Sequence, residues 1–242
     1  TELLVMGRVG VFVDHPLVPA GATLANVSRP APYLYKYDIE DILPADGPWR
    51  AELEKRLAAA VAGADAMAIS DYGYGCVTPE RVAAMPRAPH SPWRCLDSRY
   101  RIGAFAGVTG ATPNLEELEA FCGRRLGTDA AVAAGADELR RALGARFVLA
   151  TRGNRGMTLV EGGNAHHIPV FGSDEVADVT GAGDTVLAVL SVALAAGASP
   201  LEAARLANIA AGLVVMKLGT ATVTAIELET AVAAGGWVGD RA

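Results

Sequence analysis

The feature that most constrains the fold is an alternation along the middle and end of the chain. Short apolar runs that stop at turns take turns with helical stretches. Ala64–Ser70 (ADAMAIS) halts at DYGYG, and the run through Trp93–Asp97 halts at its aspartate. Gly107–Thr112 halts at Pro113, and Arg146–Thr151 (RFVLAT) halts at the glycine-rich RGNRG. Between them lie helical patterns over Trp49–Ala62, Pro79–Ala84, Asn114–Phe121, Asp129–Leu143, Gly183–Ala196 and Pro200–Met216. Such alternation predicts a single α/β domain with a mostly parallel central sheet. Ligands collect beyond the carboxyl ends of the strands in such sheets, where DYGYG, Asp97, TPN and TRG fall. No internal repeat or low-complexity linker breaks the pattern.

The first forty residues fit it less well. Thr1–Val13 reads as a strand, and Tyr33–Asp38 (YLYKYD) alternates like one. Between them stand four prolines and AGATLANV, too little chain for a complete βαβ unit.

Charge and cysteine usage narrow the classes of partner. A net charge of −6 argues against general affinity for nucleic acid, and no basic run suggests a membrane surface. No segment is long and apolar enough to span a bilayer, and no signal peptide opens the chain, which begins at Thr1. Cys76, Cys95 and Cys122 are widely spaced and free of any CxxC pattern, so free thiols in a reducing cytoplasm are expected.

The strongest local signal is DVTGAGDT, Asp178–Thr185, running straight into an apolar helix. Small residues let the backbone approach a ligand with no Cβ in the way. A helix beginning there offers unpaired N–H groups and the positive end of its dipole, a seat for an anion. Asp184 at the mouth of that seat makes sense if it has a proton to remove. A close helix–sheet contact would also select small residues, and Asp178, Thr180 or Asp184 could each serve as a cap.

Other stretches carry two readings each. Thr112–Pro113–Asn114 followed by Glu116 and Glu117 is a good helix start in its own right. Thr151–Gly156 (TRGNRG) reads as a tight hairpin turn into MTLVEG. Asn208 stands in an otherwise apolar helix, where it is either buried with a partner or on the surface. Asp71–Gly75 (DYGYG) and Asp97 sit at strand ends and could reach a substrate, and Asp97 could instead only cap a turn. His166 and His167 adjoin a strand and point to opposite faces, without partners for a metal.

DVTGAGDT resembles the C-terminal signature of the PfkB or ribokinase family of sugar kinases. The resemblance implies a ribokinase-like three-layer α/β sandwich with a small β lid contributed around residues 31–40. It implies that Asp184 is the catalytic base and that Gly181, Ala182 and Gly183 form the anion hole. Asn114 and Glu117 match the family's N-x-x-E element, with Asn114 facing the phosphates and Glu117 placing Mg²⁺ through water. Thr151 and Gly153 match its nucleotide-facing turn, with Arg152 able to offset phosphate charge, and Asn208 and Gly219 match its adenine pocket. Asp14, Gly21, Asn26 and Asp71 are the implied sugar contacts. ATP and Mg²⁺ are the implied cofactors, with a monovalent cation as a further one. The lid would also build a homodimer.

Within the family, SDYGYGCVT, TPNLEELEAFCG, TRGNRGMTLV and VVMKLGTATVTAIELETAV resemble the kinase domain of bifunctional heptose enzymes, over about Tyr35 to Ala234. That branch phosphorylates O1 of D-glycero-D-manno-heptose 7-phosphate; no stretch here resembles its nucleotidyltransferase partner domain. The chain departs from the pattern at Tyr74, where the branch has lysine, at Gly7–Arg8, and in the loose AGATLANVS. It is also shorter before YLYKYD by roughly a βαβ unit. Either the chain is a shortened relative, or segments are missing and breaks are expected near Val18–Gly21 and Val27–Pro30. A fructokinase-like or ribokinase-like activity, and a regulatory nucleotide-binding module, are the alternative functions. A dinucleotide-binding oxidoreductase would need GxGxxG after a strand, and the helix after Asp184 supplies no such pattern.

Overall fold

Among the described residues, eight strands hydrogen-bond into one sheet whose spatial order is their order in sequence. This is a computed structural model that describes residues 3–6, 9–13, 48–73, 75, 77–85, 93–172, 181–217 and 221–236, with backbone alone at 3–6, 9–13, 48–54 and 236. β1 (Leu3–Met6) and β2 (Val9–Val13) are antiparallel. From β2 the sheet runs parallel through β3 (Ala66–Asp71), β4 (Trp93–Ser98), β5 (Gly110–Ala111) and β6 (Phe147–Thr151). β6, β7 (Met157–Glu161) and β8 (Asn164–Ile168) finish it as an antiparallel meander. The expected single strand over Thr1–Val13 is therefore two, because a reversal after Met6 pairs the segment with itself. The expected strand over Gly107–Thr112 contracts to two residues.

The helices are α1 (Pro48–Ala62), α2 (Pro79–Ala84), α3 (Leu115–Cys122), α4 (Asp129–Leu143), α5 (Ala182–Ala195), α6 (Pro200–Val215) and α7 (Ala225–Ala231). Their ends lie within one residue of expectation for α1 to α6, because capping chemistry marks them locally. Thr128 caps α4 through its side chain, and Gly144 ends it in the left-handed region at φ 63°.

Successive side chains of a strand point to opposite faces, and here the two faces feed two cores. Ile69, Leu96, Val148 and Ala150 pack with Leu57, Val82, Leu118 and Leu139 from α1 to α4. Ala68, Cys95, Phe147 and Leu149 pack with Leu187, Leu190, Ala204 and Ala207 from α5 and α6. The result is three layers: helices, sheet, helices. Each fully buried Leu or Phe contributes about 1.5–3 kcal/mol. Gly110 is required where β5 passes the ring of Phe147, since an added Cβ would fall 2.1 Å from it.

The parity of each strand also decides which polar residue at its carboxyl end faces α5. The expected lid strand around 31–40, the AGATLANVS segment and the two expected break points all lie outside the described residues.

Candidate active site

Helix α5 opens with Gly181 as its N-cap, at φ 82° and ψ 0°. A residue with a β-carbon is strained there, so glycine suits the turn. Ala182 and Gly183 follow in the first turn, and Asp184 is its third residue. Amides in a first turn have no intrahelical carbonyl to bond, so they point outward beside Asp184. The Asp184 carboxylate is exposed but held: the Tyr72 hydroxyl donates to Oδ2 at 2.8 Å and the Ser70 hydroxyl to Oδ1 at 3.3 Å. Burial first, and then the neighbouring Asp184, raise the Tyr72 phenol well above its ordinary range, so Tyr72 stays a neutral donor.

Asp71, expected to touch substrate, does something else. It belongs to the opposite face of β3 from Ser70 and Tyr72, and is only 3% exposed. Its oxygens accept from Ser98 Oγ at 2.8 Å, from Arg101 Nε and an Arg101 terminal nitrogen at 3.0 Å, and from the Gly73 amide at 3.0 Å. A carboxylate so fully engaged ties the β3 and β4 exits together and has no free acceptor for a sugar. Strand parity, invisible in the motif DYGYG taken as a unit, makes that assignment.

Asp97 exits β4 on the α5 face, within 4.0 Å of where a Cβ on Gly183 would stand. Burial pushes its carboxyl up to about 8, reinforced by Glu117 and Asp184 nearby. Glu117 is also raised, chiefly by burial. Asn114 and Glu117 form a reciprocal capping box at α3, with both bonds at 2.9 Å, so the helix-start reading holds. The same turn meets the TRG element: Asn114 bridges to Thr151, whose amide donates to Pro113 O at 2.9 Å. Among the described residues no three acidic, His or Cys side chains gather closely enough to hold a metal ion alone. Magnesium takes one or two carboxylates plus substrate phosphates and water, so an oxygen-only set led by Glu117 fits it.

A cavity of about 190 Å³ runs beside this surface, bounded by Thr151, Gly153, Phe171, Gly183, Asn208 and Gly212. Five of the expected ligand-facing residues, Thr151, Gly153, Ala182, Gly183 and Asn208, thus line one cavity. Asn208 is buried, and its amide donates to Pro169 O at 2.8 Å, which fixes the exit of β8 against α6. A larger cavity, about 660 Å³, lies between β8 and α6 and includes no residue of the Asp184 turn. Its greater volume carries no chemical weight beside the convergent groups of the smaller one.

Arg152 does not face that cavity. Its side chain is buried and pairs with Asp129 at the start of α4, donates to Thr158 Oγ1 at 3.2 Å and meets His167 Nδ1 at 3.3 Å. With both terminal nitrogens engaged and the side chain away from the cavity, Arg152 is not placed to offset phosphate charge, and its expected nucleotide role is corrected to a structural one. The TRGNRG stretch itself is the hairpin turn expected between β6 and β7. Asp14, Gly21, Asn26 and Gly219 lie outside the described residues. Sequence reasoning passed over Ser70 and Arg99 and named Tyr72 only as part of DYGYG; a parity count from buried Ala68 would have put Ser70 and Tyr72 on one face.

A parallel-centred sheet with helices on both faces, and polar groups gathered at its strand exits, defines a ribokinase-like α/β fold. Phosphofructokinase-2 from Escherichia coli in complex with potassium superposes with a TM-score of 0.65 at 21% identity, over 76% of this chain and 61% of that one. Arabidopsis thaliana ribokinase complexed with ribose and ATP gives 0.61 at 22% identity, over 72% and 57%. The pfkB family carbohydrate kinase model matches residues 91–226, and the chain belongs to that family. Among its relatives, the bifunctional protein HldE of Hahella chejuensis is 40% identical over 228 residues, 93% of this chain and 47% of the relative. That of Mesorhizobium japonicum is 41% identical over 196 residues, 80% and 39% respectively. The chain spans less than half the length of these relatives. No helix among the described residues is long and apolar enough to cross a membrane.

Proposed function

We propose that the chain catalyses transfer of the γ-phosphoryl group of ATP to a sugar hydroxyl, O1 of D-glycero-D-manno-heptose 7-phosphate. The observation that carries the reading is Asp184, aimed by Tyr72 and Ser70 beside the outward amides of Gly181 to Gly183. The acceptor rests on the resemblance of the motifs to heptose kinase domains, together with the similarity to HldE proteins.

In this mechanism the acceptor hydroxyl lies against Asp184, which takes its proton as the oxygen attacks phosphorus. A new O–P bond forms, the bond to the ADP oxygen breaks, and ADP leaves with the electron pair. Charge on the transferring group falls beside the amides at the start of α5, where fixed donors are most effective. Thr151, Gly153 and Asn208 line the nucleotide cavity, and Asn114 faces the phosphates. Mg²⁺ when bound would neutralise phosphate charge, and Glu117 is the residue to hold it, through water. A monovalent cation, a homodimer and a cytoplasmic location complete the reading; a potassium complex of a fold neighbour supports the first.

The test is ADP release from MgATP with heptose 7-phosphate, fructose, ribose and fructose 6-phosphate, for the wild type and Asp184→Asn. Turnover on heptose 7-phosphate that vanishes in the variant is the expected result. Turnover on another sugar reassigns the acceptor. Silence across the panel with ATP still bound rejects the kinase in favour of a nucleotide-binding regulator.

A further inference from the structure

Three carboxylates, Asp97, Glu117 and Asp184, surround the place where the proposed reaction must seat a highly charged anion. Such a surface repels phosphate unless cations stand within it. The nearby arginines are mostly committed: Arg101 to Asp71, Arg152 to Asp129, and buried Arg94 to the Val82 and Met85 carbonyls.

Arg99 differs from all of these. It leaves β4 two residues after Asp97, its backbone amide anchored to Asp71 O at 3.0 Å. It acts electrostatically on Tyr72, Asp97 and Glu117, and with Glu117 it lines one cavity. Yet its side chain is exposed and makes no hydrogen bond or ion pair among the described residues. Glu117, one of the acids beside it, is held in the capping box with Asn114. Arg99 also borders a cavity of about 360 Å³ shared with Tyr100, Arg101, Glu117 and Phe121.

We infer that Arg99 is a phosphate-binding residue, its free guanidinium receiving phosphate oxygens of a reacting substrate beside Glu117 and Asp184. A planar guanidinium takes two phosphate oxygens at once, and here no hydrogen-bond partner among the described residues has to be given up. The phosphate is either the γ-group of the nucleotide or an ester carried by the acceptor, and the inference rests on the kinase reading above.

Arg99→Met and Arg99→Lys are compared with the wild type in three measurements: calorimetric binding of MgATP and MgADP, steady-state kinetics with phosphorylated and unphosphorylated acceptors, and thermal melting. Arg99→Met is expected to melt like the wild type and weaken one phosphate-bearing substrate about tenfold or more, with Arg99→Lys recovering part of the loss. Weaker ATP binding with unchanged ADP binding identifies the γ-phosphate. A raised KM for the sugar phosphate alone, with ATP and the unphosphorylated sugar unaffected, identifies the ester. All affinities and KM values within about twofold of wild type would overturn the inference. If the wild type turns over no sugar, the kinase reading fails, and the ATP and ADP titrations decide Arg99 alone: equal binding in wild type and Arg99→Met rejects it.

Discussion

The Tyr72 hydroxyl reaches Asp184 Oδ2 at 2.8 Å across 112 residues of chain. It joins the exit of β3 to the first turn of α5, and with Ser70 it sets the direction in which the carboxylate presents itself. Asp184→Asn should cut kcat by about 10²–10⁴-fold, the usual worth of a positioned base, while ATP binding stays close to wild type. Retention of most turnover would remove Asp184 from the base role. Tyr72→Phe should lower kcat by about tenfold, since Ser70 still holds the other oxygen, without changing the KM for ATP. Kinetics of both variants on the acceptor that the wild type uses would decide the two roles.

Arg152 should matter to stability rather than to nucleotide affinity. Arg152→Met leaves Asp129, Thr158 and His167 without their shared partner. The expected cost is about 1–3 kcal/mol in urea unfolding, with calorimetric ATP affinity unchanged. A variant of full stability that binds ATP poorly would return Arg152 to the nucleotide site.

Asp71 should behave likewise on the other face of β3. Asp71→Ala strands the Arg101 guanidinium and the Gly73 amide, and because Arg101 is one-third exposed the loss should sit near the lower end for a broken buried pair, about 3 kcal/mol. Below its lowered melting temperature the variant should keep its KM for sugar. A rise in that KM with no loss of stability would make Asp71 a substrate contact after all.

Asp97 gives the metal-free protein a pH dependence of definite sign. Its carboxyl titrates near 8 in the folded chain, against an ordinary value of 3.8. Between those values the folded chain holds a proton that the unfolded chain has released, so stability declines as pH rises through that window and levels off above it. Denaturant titrations in chelator from pH 5 to pH 9 should show this decline, and Asp97→Asn should flatten it. An identical slope in the two proteins would show that Asp97 is not the group responsible.

Much of this was legible in the sequence, because it rests on signals a few residues long. Apolar runs ending at turns, Thr128 before α4 and Gly144 after it, and the glycines before Asp184 all act through neighbouring backbone. For the same reason the capping box of Asn114 and Glu117 could be read from their spacing alone. What only the tertiary structure decided is where equally plausible polar side chains go. Asp71 and Ser70 are adjacent in sequence, yet strand pleating sends one to Arg101 and the other to Asp184. Arg152 looked available for phosphate until α4 folded across the hairpin and brought Asp129 to it. Among the described residues Arg99 takes no hydrogen-bond partner, while Glu117 caps α3 and Arg101 holds Asp71. A local pattern states which chemistry a segment can offer; a partner distant in sequence, brought close by packing, determines whether it is still on offer.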